Sequence, residues 1–118
     1  MNNPKAQKII NSLLKEISKE FKAESISEQL TALRTIALEL EDPLVVKTLR
    51  LVKEKIAEDD EFVVEIEQID SEDDDEEEEY EEPENHLEYL LQLLLDSENK
   101  YNREEIKLYR TALMKELY

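Results

Sequence analysis

The sequence contains no cysteine and no glycine among its 118 residues, and it has a single histidine. Without cysteine the chain can form neither a disulfide framework nor a thiolate zinc site, and nothing indicates an oxidising compartment. Without glycine it has no glycine-rich phosphate loop and lacks the residue that left-handed turns favour. The composition therefore argues against a sheet-rich fold with many tight turns.

Patterns that indicate catalysis or metal binding are also missing. A di-metal helical bundle needs Glu-x-x-His motifs, whereas Pro83 stands three residues before the single histidine, His86. The loop 96–107 has Tyr101 and Lys107 where a hand-like calcium loop needs glycine and a bidentate glutamate. We therefore expect no enzymatic activity, no cofactor and no metal site, and we expect His86 to cap or flank the start of a helix.

The formal net charge of -17 is concentrated in one part of the chain. Residues 58–85 carry eighteen Asp and Glu and no Lys or Arg, whereas the flanking ranges 1–57 and 86–118 are close to neutral. Such a block repels phosphate backbones and anionic lipid, and it attracts basic surfaces over about 8 Å at physiological salt. We therefore expect a protein partner, basic in character, and no direct binding of nucleic acid.

Membrane-spanning and secretory segments are not predicted. No apolar run approaches the roughly 20 residues of a membrane span. The N-terminal stretch MNNPKAQKIINSLLKEISKE has charges throughout instead of the continuous apolar core of a signal peptide. The expected location is the cytoplasm, without membrane association.

Apolar residues recur at intervals of three and four along most of the chain, which predicts an all-α fold. Asn3 before Pro4 combines a preferred N-cap with a proline at the first helical position, so we place the first helix over residues 4–22. Ser25 and Glu28 form a capping-box pattern that opens a second helix. The apolar stripe of that second helix is Ile26, Leu30, Leu33, Ala37 and Leu40.

Asp42 and Pro43 repeat the combination of N-cap and first-turn proline, so a third helix follows the second after a tight turn. The stretch LEDPLVVKTLRLVKEKI, which includes this turn, is similar to the turn and second helix of a HEAT repeat. A solenoid needs at least about three stacked units, and the sequence contains no second copy. The resemblance therefore implies one helical hairpin.

The segment HLEYLLQLLLD, residues 86–96, is apolar on nearly all sides, which predicts a helix buried on more than one side. Asn102 with Glu105 then forms a capping pair that opens the last helix. Together these patterns predict a small bundle of about four main helices, arranged as two helical hairpins. We expect an N-terminal helical part over 1–70, an acidic and disordered linker over 71–84, and a C-terminal hairpin over 85–118 that packs on the N-terminal part as one domain.

Residues 61–70, EFVVEIEQID, fit two structures. Phe62, Val64 and Ile66 alternate as in a strand, whereas Phe62, Ile66 and Ile69 also fit one face of a helix. A lone strand would leave its backbone groups unpaired, and no second strand is predicted. This favours a helix, and the alternative is a strand that pairs with its own copy across a dimer.

Two sets of residues are candidates for partner binding. Runs of like charge repel and remain solvated, so the acidic run is expected to be a tether, or else a lure for a basic partner with Tyr80 as an aromatic anchor. The second set is the apolar face of the fourth helix, which needs cover. The candidate residues are Asp73, Asp74, Asp75, Glu76, Glu77, Glu78, Glu79 and Tyr80 in the run, and Leu91, Leu94 and Leu95 in the helix.

The function that these patterns favour is a non-enzymatic, intracellular protein–protein interaction or adaptor module. One alternative is a structural homodimer whose fourth helix is the interface. A second alternative is an acidic mimic of nucleic acid, which would need carboxylates spaced over a rigid surface. The sequence does not identify the partner.

Overall fold

The helical pattern is confirmed in a computed structural model, which describes residues 1–64 and 85–118. Those residues form five α-helices and no β-strand, so the all-α class is right, although about four main helices were expected. The helices are α1 Pro4–Lys19, α2 Ala23–Glu39, α3 Pro43–Asp59, α4 His86–Leu95 and α5 Lys100–Leu117.

The principal contacts between helices form a closed ring in the order α1, α2, α3, α5, α4, with α4 returning to α1. Each helix thus packs mainly against two others, and the first three follow one another around the ring. The predicted arrangement as two hairpins is not confirmed, because α1 packs against α4 as well as α2. The apolar faces that meet inside the ring include Ile10, Leu13, Leu30, Leu33, Leu49, Ile56, Leu90, Leu91 and Tyr109, all of them buried.

Two of the predicted helix starts are present. The side chain of Asn3 accepts hydrogen bonds from the backbone N–H groups of Lys5 and Ala6, at 2.9 and 3.1 Å. The side chain of Asp42 accepts one from the N–H of Val45 at 3.4 Å. Both caps precede a proline at the first helical position, where the missing N–H costs nothing.

The predicted capping box of the second helix is wrong. α2 begins at Ala23, and its N-cap residue makes no side-chain hydrogen bond. Ser25 instead lies inside the first turn, with its Oγ 3.4 Å from Nε2 of Gln29. Because Ala23 packs against the core, burial sets the start of this helix ahead of the residue best suited to cap it.

The predicted start of the last helix is also too late. Asn99 is the N-cap of α5, and its Oδ1 accepts hydrogen bonds from the N–H groups of Tyr101 and Asn102, at 2.9 and 3.3 Å. The side chain of Asn102 donates to the carbonyl of Asp96 at 3.0 Å. Two asparagines were available, and the earlier one takes the capping position.

α4 is buried on more than one side, as its composition predicts. It packs against both α1 and α5, and its first residue, His86, is buried with Nδ1 2.9 Å from the hydroxyl of Tyr109. His86 therefore flanks a helix start, as expected. The amino group of Met1 donates to the carbonyls of Leu94 and Leu95 at the other end of α4, where helical carbonyls have no partner within the helix.

The start of the ambiguous segment is neither helix nor strand. Phe62 and Val64 are buried and Val63 is 59% exposed, so successive side chains alternate between core and solvent. The remaining residues of that segment, and the acidic run 71–84, lie outside the described residues.

Without glycine, the turn between α2 and α3 places a glutamate in the left-handed region. Glu41 has φ 56°, and its N–H donates to the carbonyl of Leu38 at 3.1 Å. The N–H of Asp42 donates to the carbonyl of Ala37, also at 3.1 Å. These two bonds are those of a Schellman motif, in which glycine usually occupies the position of Glu41.

Replacement of this glutamate by glycine is therefore expected to stabilise the protein. A left-handed conformation costs a non-glycine residue about 1–2 kcal/mol, and the greater freedom of glycine in the unfolded chain offsets about 0.5–1 kcal/mol of that. Glu41→Gly should raise the free energy of unfolding in urea by about 0.5–1 kcal/mol. Glu28→Gly, at an exposed position inside α2, should lower it by about 1 kcal/mol. Destabilisation by both variants would contradict the left-handed assignment.

Candidate functional site

A groove lies where α2 ends and α3 begins. It has a volume of about 520 Å³ and is open to solvent. We call it the α2–α3 groove. Its lining residues are Arg34, Leu38, Glu41, Asp42, Pro43, Val46, Lys47 and Arg50.

Helical spacing explains why these side chains share one surface. Arg34 and Leu38 are four residues apart on α2, and Val46 and Arg50 are four apart on α3, so each pair lies on one helix face. The Schellman turn reverses the chain within a few residues, so α3 starts beside the end of α2. Both faces therefore meet at the same groove.

The apolar part of the groove is accessible. Leu38 is 52% exposed, Val46 is half-buried, and Pro43 is exposed. Leu40, which we assigned to the inward stripe of the second helix, is also exposed, because it lies past the last helical residue. Leu38, which was not assigned to that stripe, supplies the apolar surface of the groove.

Three of the lining residues are cations without an ion-pair partner among the described residues. Arg34, Lys47 and Arg50 form no ion pair with any residue in the ranges 1–64 and 85–118. Of the two acids of the lining, Asp42 is paired with Arg103 on α5, so only Glu41 remains to offset the three cations. The groove is thus a locally basic site in a chain whose formal net charge is -17.

Arg34 also has an unsatisfied donor. Its Nε is enclosed by protein, yet no acceptor among the described residues lies within hydrogen-bond distance. Nearly all buried polar groups in proteins have a partner, so an exception calls for an explanation. A carboxylate or another anion at the groove is the kind of acceptor that a guanidinium binds best.

The pair of Asp42 and Arg103 fixes one end of the groove. Nη1 and Nη2 of Arg103 donate to the two carboxylate oxygens of Asp42 at 3.0 and 3.2 Å, and Nη1 also donates to the carbonyl of Ser97 at 3.1 Å. Burial by itself would raise the pKa of Asp42, but the hydrogen bonds from Arg103 and from the N–H of Val45 outweigh it and hold that pKa below its ordinary value. The hydrogen bond raises the pKa of Arg103 in turn.

The candidate residues of the fourth helix belong to the core. Leu91 and Leu94 have no exposed surface, and Leu95 is half-buried against the same cluster. The apolar character of α4 is therefore explained by contacts within this chain, and it no longer argues for a dimer. The candidates of the acidic run, Asp73 to Glu79 and Tyr80, lie outside the described residues.

Sequence reasoning missed the groove, although one weak signal was available. Leu38 lies off the inward stripe of α2 and four residues after Arg34, which places an apolar and a basic side chain together on the outer face. The contribution of α3 had no comparable signal, because its lysines and arginines resemble any solvated helix face. Only the packing of the two helices shows that these positions adjoin.

The described residues contain neither a candidate metal site nor a helix that could span a membrane. Within residues 1–64 and 85–118 no group of three or more His, Asp and Glu side chains is arranged to hold a metal ion. In the same ranges, no helix is both long enough and apolar enough to cross a bilayer.

Sequence and structure were also compared with known proteins. No family model, curated protein or solved structure matches this chain.

Proposed function

We propose that this chain is a non-enzymatic protein–protein interaction module of the cytoplasm, and that the α2–α3 groove is one of its binding surfaces. The observation that carries the proposal is the combination, at one concave site, of an exposed Leu38 with three cations that have no ion-pair partner in the part of the chain that the structure describes. Protein interfaces typically surround a buried apolar anchor with a polar rim in which arginine is enriched. The groove has both components.

The shape of the groove favours a protein over a small molecule as its ligand. Sites for small molecules bury about 70–90% of the ligand surface. The α2–α3 groove is open to solvent, and half of the surface of Leu38 is in contact with solvent. A segment of another protein, laid along the two helices, would cover the groove without needing an enclosed cavity.

The acidic run is a second surface of the same module in this proposal. Residues 65–84 carry fourteen Asp and Glu, and every Lys and Arg of the chain lies elsewhere. This separation of charge supports recruitment of a basic partner through Asp73 to Glu79, with Tyr80 as an anchor. The basic groove would then attract acidic partners, and the acidic run would attract basic ones.

The proposal is tested by affinity capture from lysate with the immobilised full chain. Leu38→Ser should abolish the capture of the proteins that use the groove, because it removes the exposed apolar anchor. Val63→Ser is the matched control, since Val63 is 59% exposed and lies outside the groove lining. Circular dichroism should show the same helix content for both variants as for the wild-type chain. Capture of the same proteins by all three chains would refute the groove as a binding surface.

A third variant tests the acidic run separately. Residues 71–84 are replaced by a neutral Gly/Ser linker of equal length, which removes the charge but keeps the connection. Loss of basic proteins at low salt would support a lure, since attraction of this kind is screened by salt. If the linker variant captures the same proteins as the wild-type chain, the run acts only as a tether.

A further inference from the structure

We propose that the α2–α3 groove recognises an acidic segment of a partner protein, in which carboxylate side chains flank an aliphatic one. This inference rests on the proposed function and names the chemistry of the partner. It is drawn from three properties of the groove residues: their charge, the unsatisfied donor of Arg34, and the apolar surface between them.

The positive charge of the groove favours an acidic partner. Lys47 and Arg50 are three residues apart on α3, so they are neighbours on one face, and like charges at such spacing disfavour a helix. Within the described residues no carboxylate pairs with either cation. An incoming carboxylate would relieve this repulsion and form charge-assisted hydrogen bonds.

The guanidinium of Arg34 also favours an acidic partner. Its Nε has no acceptor among the described residues but is closed to solvent, so an incoming carboxylate would bind the other two guanidinium nitrogens of this groove residue. An arginine binds a carboxylate through parallel hydrogen bonds that a lysine cannot reproduce. We infer that Arg34 provides the directional contact, whereas Lys47 and Arg50 provide attraction.

The apolar surface of the groove favours an acidic protein over a nucleic acid. Leu38, Val46 and Pro43 give the groove an apolar surface beside the cations, and an aliphatic side chain of a peptide would bury it. A nucleic acid offers a long series of phosphates, and the formal net charge of -17 repels such a polyanion. A short segment with few carboxylates avoids most of that repulsion.

The inference is tested with the full chain and a labelled synthetic peptide in which Glu and Leu pairs alternate, using fluorescence anisotropy to measure Kd. We expect the triple variant Arg34→Gln, Lys47→Gln, Arg50→Gln to weaken binding about tenfold or more. The matched control is the triple variant Lys8→Gln, Lys15→Gln, Lys19→Gln, which removes the same charge from exposed positions of α1. It should change Kd less than about twofold.

Peptide variants separate the two parts of the recognition. Replacing every Leu of the peptide by Ser should weaken binding to the wild-type chain, and replacing every Glu by Gln, which removes the charge without making the peptide basic, should abolish it. Equal weakening by both protein triples would overturn the inference in favour of diffuse attraction. Tighter groove-dependent binding of a single-stranded oligonucleotide than of the peptide would overturn it in favour of nucleic acid.

Two further outcomes identify a different occupant and would also overturn the inference. A dimer in sedimentation that the groove triple variant dissociates would identify a second copy of this chain. Peptide binding that appears only after neutralisation of residues 71–84 would identify the chain's own acidic run. If the peptide fails to bind while lysate capture still depends on Leu38, the proposed function stands and only this partner chemistry is wrong.

Discussion

Leu94→Asp is expected to unfold the protein or to reduce its stability by several kcal/mol. Leu94 has no exposed surface and lies in α4, which packs against two other helices. Truncation of a buried leucine alone costs about 2–5 kcal/mol, and a buried carboxylate without a partner adds a further desolvation cost. Small domains have a total stability of about 5–15 kcal/mol. The unfolding transition of Leu94→Asp should therefore occur at a much lower urea concentration than that of wild type, or be absent.

Two surface substitutions provide the controls for this prediction. Gln92→Asp introduces the same carboxylate on the same helix at an exposed position, where its effect should stay within about 0.5 kcal/mol. Lys100→Asp changes the first residue of α5, where an acidic side chain interacts favourably with the helix dipole. A midpoint for Leu94→Asp similar to those of the controls would show that α4 is not part of the core.

Arg103→Met is expected to lower the free energy of unfolding by about 1–2 kcal/mol at neutral pH. It keeps most of the aliphatic volume, but it removes both hydrogen bonds to Asp42 and the one to the carbonyl of Ser97. Hydrogen bonds to charged groups contribute about 1.5–3 kcal/mol, and this value is reduced here because the Arg103 side chain is about one-third exposed. Lys107→Met, which breaks the exposed pair with Glu104, should cost less than about 0.5 kcal/mol.

The effect of Arg103→Met should also depend on pH in a defined direction. The pKa of Asp42 is lower in the folded protein than its ordinary value, so the pair contributes fully above the unfolded pKa of about 3.9. The contribution is lost as the pH falls through the folded pKa. The difference in free energy of unfolding between wild type and Arg103→Met, measured in urea, should therefore be constant near neutral pH and shrink below about pH 4.

A double-mutant cycle with Asp42→Asn isolates the ion pair from the helix cap. Asparagine remains a good N-cap residue, so this change removes the charge while an acceptor for the N–H of Val45 is kept. The effects of Asp42→Asn and Arg103→Met should be less than additive, because each removes the same interaction. Additive effects, or a difference that persists unchanged at low pH, would contradict the pairing.

The sequence by itself determined the helical class and most of the core. Residues such as Ile10, Leu13 and Leu30 recur at helical spacing, and this periodicity requires only that one face of each helix be buried. The caps at Asn3 and Asp42 were predictable for a similar reason, since a cap is a local interaction between a side chain and the next few backbone N–H groups. Local rules suffice where the interaction itself is local.

Helix boundaries were predicted less well, because local signals compete there with packing. α2 starts at Ala23, ahead of the capping-box serine, where contact with the core outweighs a cap. At α5 two asparagines offered equivalent caps, and the earlier one, Asn99, is used. The count of helices and the ring of contacts likewise depend on which apolar faces meet, and periodicity within one helix does not contain that information.

The α2–α3 groove was decided only by the tertiary structure. Leu38 and Arg50 belong to different helices, and they face one groove because the turn at Glu41 sets the two helices side by side. Asp42 and Arg103 are 61 positions apart, and their pairing leaves the other cations of the groove without a partner in the described ranges. Sequence patterns show which face of each helix is buried, but only packing decides which outer faces adjoin and which charges remain unpaired.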